Sequence, residues 1–184
     1  EQLLKKLHEI AESHRAELVL VYGRRRAGKS RLLTEFAAQT GALYLLCDVS
    51  INILDILAGQ IREEFVRFSN WEDFFEFLYK SKYEIIIVDE FQYLYHVNKA
   101  WPTQLQRWWE KLKETKKKII LCGSIISTLY KIAMGYGSAL YGRKTYELHI
   151  SALKFKDIQY FLQEYTFEEL VVSYAILGGI ARYL

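Results

Sequence analysis

Gly23-Arg24-Arg25-Arg26-Ala27-Gly28-Lys29-Ser30 fits the pattern G-x-x-x-x-G-K-[ST], and its flanks decide how it is read. Leu18 to Tyr22 before it is apolar throughout and predicts a strand; Lys29 to Gln39 after it has the spacing of an amphipathic helix. A glycine loop between strand and helix is the context in which this pattern has a mechanism. Glycines let a polyphosphate approach backbone N–H groups closely, and the helix N-terminus adds partial positive charge. Lys29 then reaches the terminal phosphates, and Ser30 offers a hydroxyl to Mg2+. The competing reading is a glycine turn with Ser30 as a helix cap, but from average residue frequencies such a match arises by chance in under about one chain in a hundred of this length. Arg24, Arg25 and Arg26 fill the variable positions. Each either touches phosphate or a partner, or is a charged loop tip pointing into water.

Further along, Ile85-Ile86-Ile87-Val88-Asp89-Glu90 is an apolar strand that delivers two carboxylates at its C-terminal end, where ligands bind in open α/β sheets. This is the Walker B pattern. Asp89 orients Mg2+ through its water shell in that reading, and Glu90 polarises the attacking water as general base. Adjacent carboxylates also imply an extra strand between the two motif-bearing strands, and Ile119-Ile120-Leu121-Cys122-Gly123-Ser124 is the candidate. Its Ser124 is either a sensor of the γ-phosphate or the attacking water, or the N-cap of the next helix. Gln92 either holds that water or lies on the surface, and the surface reading is preferred. Arg143 follows the glycine-bearing loop Ala133 to Gly142, which reads as the most mobile segment. A γ-phosphate sensor or arginine finger, in its own site or a neighbour's, competes there with a solvent-facing edge-strand arginine.

The remaining pattern alternates short β-rich runs with longer amphipathic ones, which is α/β. Strands are predicted over Leu18 to Tyr22, Ala42 to Cys47, Glu84 to Val88, Lys118 to Cys122 and Thr145 to Ile150. Helices are predicted over Gln2 to Ser13, Lys29 to Gln39, Ile53 to Arg67, Trp71 to Lys80, Pro102 to Thr115, Ser124 to Ile132, Phe155 to Glu164 and Thr166 to Leu177. In the Pro102 helix, Leu105, Trp108 and Leu112 recur at spacings of three and four, so its tryptophans read as core rather than a base-stacking platform.

With 184 residues, 51% apolar, 26% charged and a single proline, the chain is a globular domain and not a disordered one. No apolar run approaches the roughly 20 residues that span a bilayer. Cys47 and Cys122 read as two reduced core thiols of a cytoplasmic protein. A net charge of +3 leaves the partner open, and Lys116, Lys117 and Lys118 read as a solvated helix end entering a strand. His8, His14, His96 and His149 share no metal-ligand spacing, which makes zinc chemistry a poor bet.

Together the motifs resemble the archaeal ATPase family, an AAA+-related branch of the P-loop NTPases that includes the signal-transduction ATPases with numerous domains. The carriers are the Tyr22 to Ser30 loop, Val88-Asp89-Glu90-Phe91-Gln92-Tyr93-Leu94, Gly123-Ser124, Leu140-Tyr141-Gly142-Arg143 and Ala175-Ile176-Leu177-Gly178-Gly179-Ile180-Ala181-Arg182-Tyr183-Leu184. The resemblance implies a three-layer P-loop NTPase core over residues 1–150, with a five-stranded parallel sheet, and the start of a C-terminal helical lid over 151–184. It implies ATP as substrate, Mg2+ with Ser30 and Asp89, hydrolysis used as a conformational switch, and Arg143 near the nucleotide. Ala181 stands where the family usually has proline. The family pattern also implies a longer protein. A protein client, self-association, or DNA bound through a further C-terminal winged helix are the partners it allows.

Overall fold

The computed structural model of the chain describes residues 2–62 and 66–183. Its sheet is built from β1 (Glu17–Gly23), β2 (Leu43–Leu46), β3 (Ile85–Asp89), β4 (Lys118–Gly123) and β5 (Tyr146–Ile150). All pairings are parallel and the order is β2-β3-β4-β1-β5. The extra strand therefore lies between the two motif-bearing strands, as the paired carboxylates imply. Parallel strands need crossover connections, supplied here by α2 (Lys29–Thr40), α3 (Ile53–Gly59), α4 (Trp71–Lys80), α5 (Gln92–Val97), α6 (Trp101–Leu112) and α7 (Ile126–Leu129), while α1 (Gln2–Ala11) precedes β1, and α8 (Phe155–Ile158) and α9 (Phe167–Leu177) follow β5.

Strand side chains alternate between faces, so each strand feeds two cores. Leu18, Leu20, Ile86, Val88, Ile119 and Leu121 pack under the side of the sheet covered by α3 to α7. Val19, Val21, Ile85, Ile87, Ile120 and Cys122 pack on the other side with Leu7 and Ile10 of α1 and Leu33 and Phe36 of α2. These are the three layers. The five predicted strands are found within about a residue of their expected ends, and β1, β3 and β4, buried on both faces, have nowhere else to go. Trp101, Trp108 and Trp109 of α6 are buried, which excludes a stacking platform there.

Some expectations fail. The helix predicted over Ile53 to Arg67 is α3, ending at Gly59, and residues 63–65 of that prediction lie outside the described residues, as do Glu1 and Leu184. Phe155 to Glu164 holds only the four residues of α8, and Ser124 to Ile132 holds α7 followed by a single π turn, Tyr130–Met134. Helix α5 was not expected, since its six residues are too few for periodicity to register. The loop after the π turn is anchored: Leu140 is buried, its N–H donates to Ile132, and Lys144 Nζ donates to Ala133 at 3.0 Å.

The lysine run is the clearest reversal. Lys117 and Lys118 are buried, not solvated. Lys117 Nζ donates to the carbonyls of Ser81 (2.6 Å) and Tyr83 (2.8 Å), and Lys118 Nζ to those of Ser13 and Lys116, both at 2.7 Å. Long stems lie along the lower rim of the sheet while the ammonium heads satisfy loop carbonyls that would otherwise be buried without donors. Burial pulls both ammonium groups below the usual lysine range, against the nearby Glu84 carboxylate.

Candidate active site

The C-terminal ends of β1, β3 and β4 meet at one rim, and the chain leaves each with polar residues. At β1 it turns into the glycine loop and re-enters α2 at Lys29. Gly28 occupies the position before the helix with φ 94°, a left-handed conformation that a side chain resists. No side chain caps α2, so its first-turn N–H groups are left for a ligand. Ser30 is the second residue of the helix and exposed, which disposes of its reading as a cap. Lys29 is buried, and its Nζ folds back to donate to Gly23 O and Arg24 O, both at 3.0 Å. Ala27 is buried and anchors the loop, whereas Arg24, Arg25 and Arg26 are exposed.

At β3, Asp89 is fully buried and Glu90 follows it with φ 54°. Glu90 and Arg26 are the non-glycine residues with positive φ among those described, and both stand at this rim, where such strain is commonly kept for function. The turn at Glu90 lets its own N–H donate to Asp89 Oδ1 at 2.8 Å. It also directs the Glu90 carboxylate toward β4, where Ser124 Oγ donates to Oε2 at 3.0 Å. Gln92 Nε2 donates to the same oxygen. Gln92 is fully buried, which reverses the preferred surface reading. It fits because β4 ends in Gly123: a Cβ there would overlap Gln92 Oε1 and Leu129 Cδ2. Glu90, Ser124 and Gln92 are thus one hydrogen-bonded group, beside Asp89.

One participant escaped the sequence reading. Tyr44 on β2 donates its hydroxyl to Asp89 Oδ2 at 2.6 Å. A phenol inside an apolar strand was the available signal, because a buried tyrosine oxygen requires a partner. The C-terminal segment, read from the sequence as the start of a lid, also reaches this rim. Ala181 Cβ lies 4.0 Å from where a Cβ on Gly28 would stand, Arg26 Nη1 donates to Tyr183 Oη at 2.6 Å, and the Arg26 guanidinium lies 5.3 Å from the Tyr183 ring centre. The segment carrying Gly178 and Gly179 therefore rests on the glycine loop. Burial and the nearby Asp89 push the Cys47 and Cys122 thiols well above their ordinary range, so both stay protonated.

Arg143 is elsewhere. It precedes β5, and Thr145 N–H donates to Leu18 O at the start of β1, while Ile150 pairs with Gly23 at the far end. At about 3.3 Å per strand residue, roughly 16 Å of sheet separates the two levels. The guanidinium instead meets α6: Nε is 3.8 Å from Glu110 Oε1, and Nη1 donates weakly to Ala139 O at 3.4 Å. With its amide oriented to pair donor with acceptor, Gln106 accepts from Arg143 Nη2 at 2.8 Å.

A glycine loop after β1, with the carboxylate-ending β3 one strand beyond β4 in a five-stranded parallel sheet, defines the P-loop class of α/β folds. The chain belongs to a family of ATPase domains found predominantly in Archaea, whose pattern matches residues 48–184, including Asp89, Glu90, Ser124 and Arg143 but not the glycine loop. It is 37% identical over its whole length to an uncharacterised protein of Methanocaldococcus jannaschii, of which it spans 42%. Among solved structures it resembles a Walker-type ATPase of Pyrococcus abyssi (TM-score 0.67, 21% identity, 98% of this chain and 63% of that one). It also resembles the ORC2 protein of Aeropyrum pernix, solved as ADPNP-ADP complexes (TM-score 0.60, 18% identity, 89% of this chain and 49% of that one). Cdc6p of Pyrobaculum aerophilum is similar at TM-score 0.60 and 13% identity, over 89% and 48%. At these identities the structures speak for the fold alone. The chain spans less than two thirds of each of these proteins. No helix among the described residues is long and apolar enough to cross a membrane.

Proposed function

We propose that this domain binds ATP at the Gly23 to Ser30 loop and hydrolyses it, with Glu90 as general base. The observation that carries the reading is the Glu90 carboxylate, held by Ser124 and Gln92 at the same rim as Lys29 and the uncapped start of α2. In that reading the loop N–H groups and Lys29 take the β- and γ-phosphates, Lys29 exchanging its two carbonyl acceptors for phosphate oxygens. Glu90 accepts the proton of the attacking water. Ser124, already bonded to Glu90, is placed to report whether a γ-phosphate is present, and its exchange of partners is the switch. Ser30 and Asp89 offer hard oxygen donors, and Tyr44 holds Asp89 by a hydrogen bond, a donor set that suits Mg2+. Those two residues would hold the ion, which when bound neutralises charge on the phosphates.

Arg143 cannot reach its own rim across roughly 16 Å of sheet, so its role as an arginine finger is proposed for the site of a second copy. Residues 151–183 form the lid: α8 and α9 pack on each other through Phe155, Phe167 and Tyr174, and the segment after α9 lies on the glycine loop. The test is ATP turnover and nucleotide binding by the purified domain, with and without Mg2+ and duplex DNA. Binding and turnover that require Mg2+ are expected; absence of both refutes the reading, and strong stimulation by DNA would make nucleic acid the client.

A further inference from the structure

Tyr44 lies one diagonal step from Asp89. In the β2–β3 register it pairs with Ile87, two residues before Asp89, and strand alternation puts Tyr44, Ile87 and Asp89 on the face that carries α2. A phenylalanine would serve that packing equally. The hydroxyl is used instead to donate to Asp89 Oδ2 at 2.6 Å, while Glu90 N–H donates to Oδ1 at 2.8 Å. The two donors, one on each oxygen, fix the plane of the carboxylate.

We propose that Tyr44 is a positioning residue for the divalent cation: it locks the Asp89 carboxylate through Oδ2 and thereby sets the affinity of the ATP-loaded site for Mg2+. This rests on the ATP-site reading above. Residues that orient a metal-site carboxylate from behind are worth about 10- to 100-fold in metal affinity. One carboxylate position and one donor place Tyr44 at the lower end.

The experiment titrates Mg2+ into wild type and Tyr44→Phe, each loaded with a fluorescent ATP analogue, and measures analogue affinity in EDTA and the melting temperature alongside. The variant removes one oxygen and keeps the ring. About tenfold weaker apparent Mg2+ affinity is expected, with EDTA affinity and melting temperature unchanged. Mg2+ affinity equal to or tighter than wild type overturns the proposal, and so does an equal loss of analogue binding with and without metal, which is the mark of a structural prop. If wild type itself binds the analogue without any response to Mg2+, the ATP-site reading falls and takes this inference with it. A normal wild-type response matched by the variant removes Tyr44 alone.

Discussion

Mixing two inactive variants tests whether Arg143 completes a neighbour's site. Arg143→Ala keeps Glu90 but lacks the guanidinium; Glu90→Gln keeps Arg143 but lacks the base. Since Thr145 is level with Leu18 and Ile150 with Gly23, Arg143 begins roughly 16 Å below the loop of its own chain, beyond the reach of one side chain. Its removal should lower turnover by about 10³ to 10⁵ and leave ADP binding intact, because an arginine finger meets charge that develops only in the transition state. In its own chain the guanidinium rests on α6, where Gln106 accepts from Nη2 at 2.8 Å. Its Nε is buried without a hydrogen-bond partner, and its ion pair with Glu110 is long, at 3.8 Å. In an equimolar random mixture, half of the sites carry Glu90 and half of those face a copy carrying Arg143. Turnover should therefore recover to about a quarter of wild type if copies meet head to tail. The assay is steady-state phosphate release, with association checked by sedimentation. Association without recovery would refute action between copies, and wild-type turnover by Arg143→Ala would leave the residue as a surface cation tied to α6.

Lys29→Ala should abolish nucleotide binding with the circular dichroism spectrum unchanged, since its ammonium contacts only loop carbonyls; titration of labelled ATP checks this, and equal affinities sink the phosphate-loop assignment. Glu90→Gln should bind ATP about as well as wild type and turn it over at least roughly a hundredfold more slowly; normal turnover would move the base elsewhere, with Gln92 the next suspect. Burial opposes ionisation of Glu17, but hydrogen bonds from Thr145, Ser13 and Arg15 outweigh it and hold the carboxyl below its ordinary value of 4.5. A depressed folded-state value means the unfolded chain binds the proton more tightly, so this stabilisation is complete above about pH 4.5 and is lost as pH falls through the lower folded value. Urea midpoints of wild type and Glu17→Gln should differ at neutral pH and converge below pH 4.5; a gap independent of pH would be wrong for this mechanism.

Sequence alone determined what depends on chain neighbours. The glycine loop, the Asp89-Glu90 step and the apolar strands around them are contiguous strings, and burial on both faces leaves such strings little choice of structure. The same locality placed Lys29 and Ser30 at a helix start and Glu90 at a strand end. What only the tertiary structure decided is which distant side chains those ends would meet. Gln92 looked like surface because nothing in its own stretch shows that β4 ends in a glycine with space for its amide. Lys117 and Lys118 looked solvated because all but one of the carbonyls they bond lie 34 to 105 residues away. Arg143 lay close in sequence to a mobile-looking loop, yet the parallel register of β5 on β1 sends it to the opposite rim. Tyr44 stands 45 residues before Asp89, and only the pairing of β2 with β3 turns a strand tyrosine into the hydrogen-bond partner of a buried carboxylate. Periodicity reports which face is buried; register, which side-chain sequence patterns do not encode over such separations, decides what that face touches.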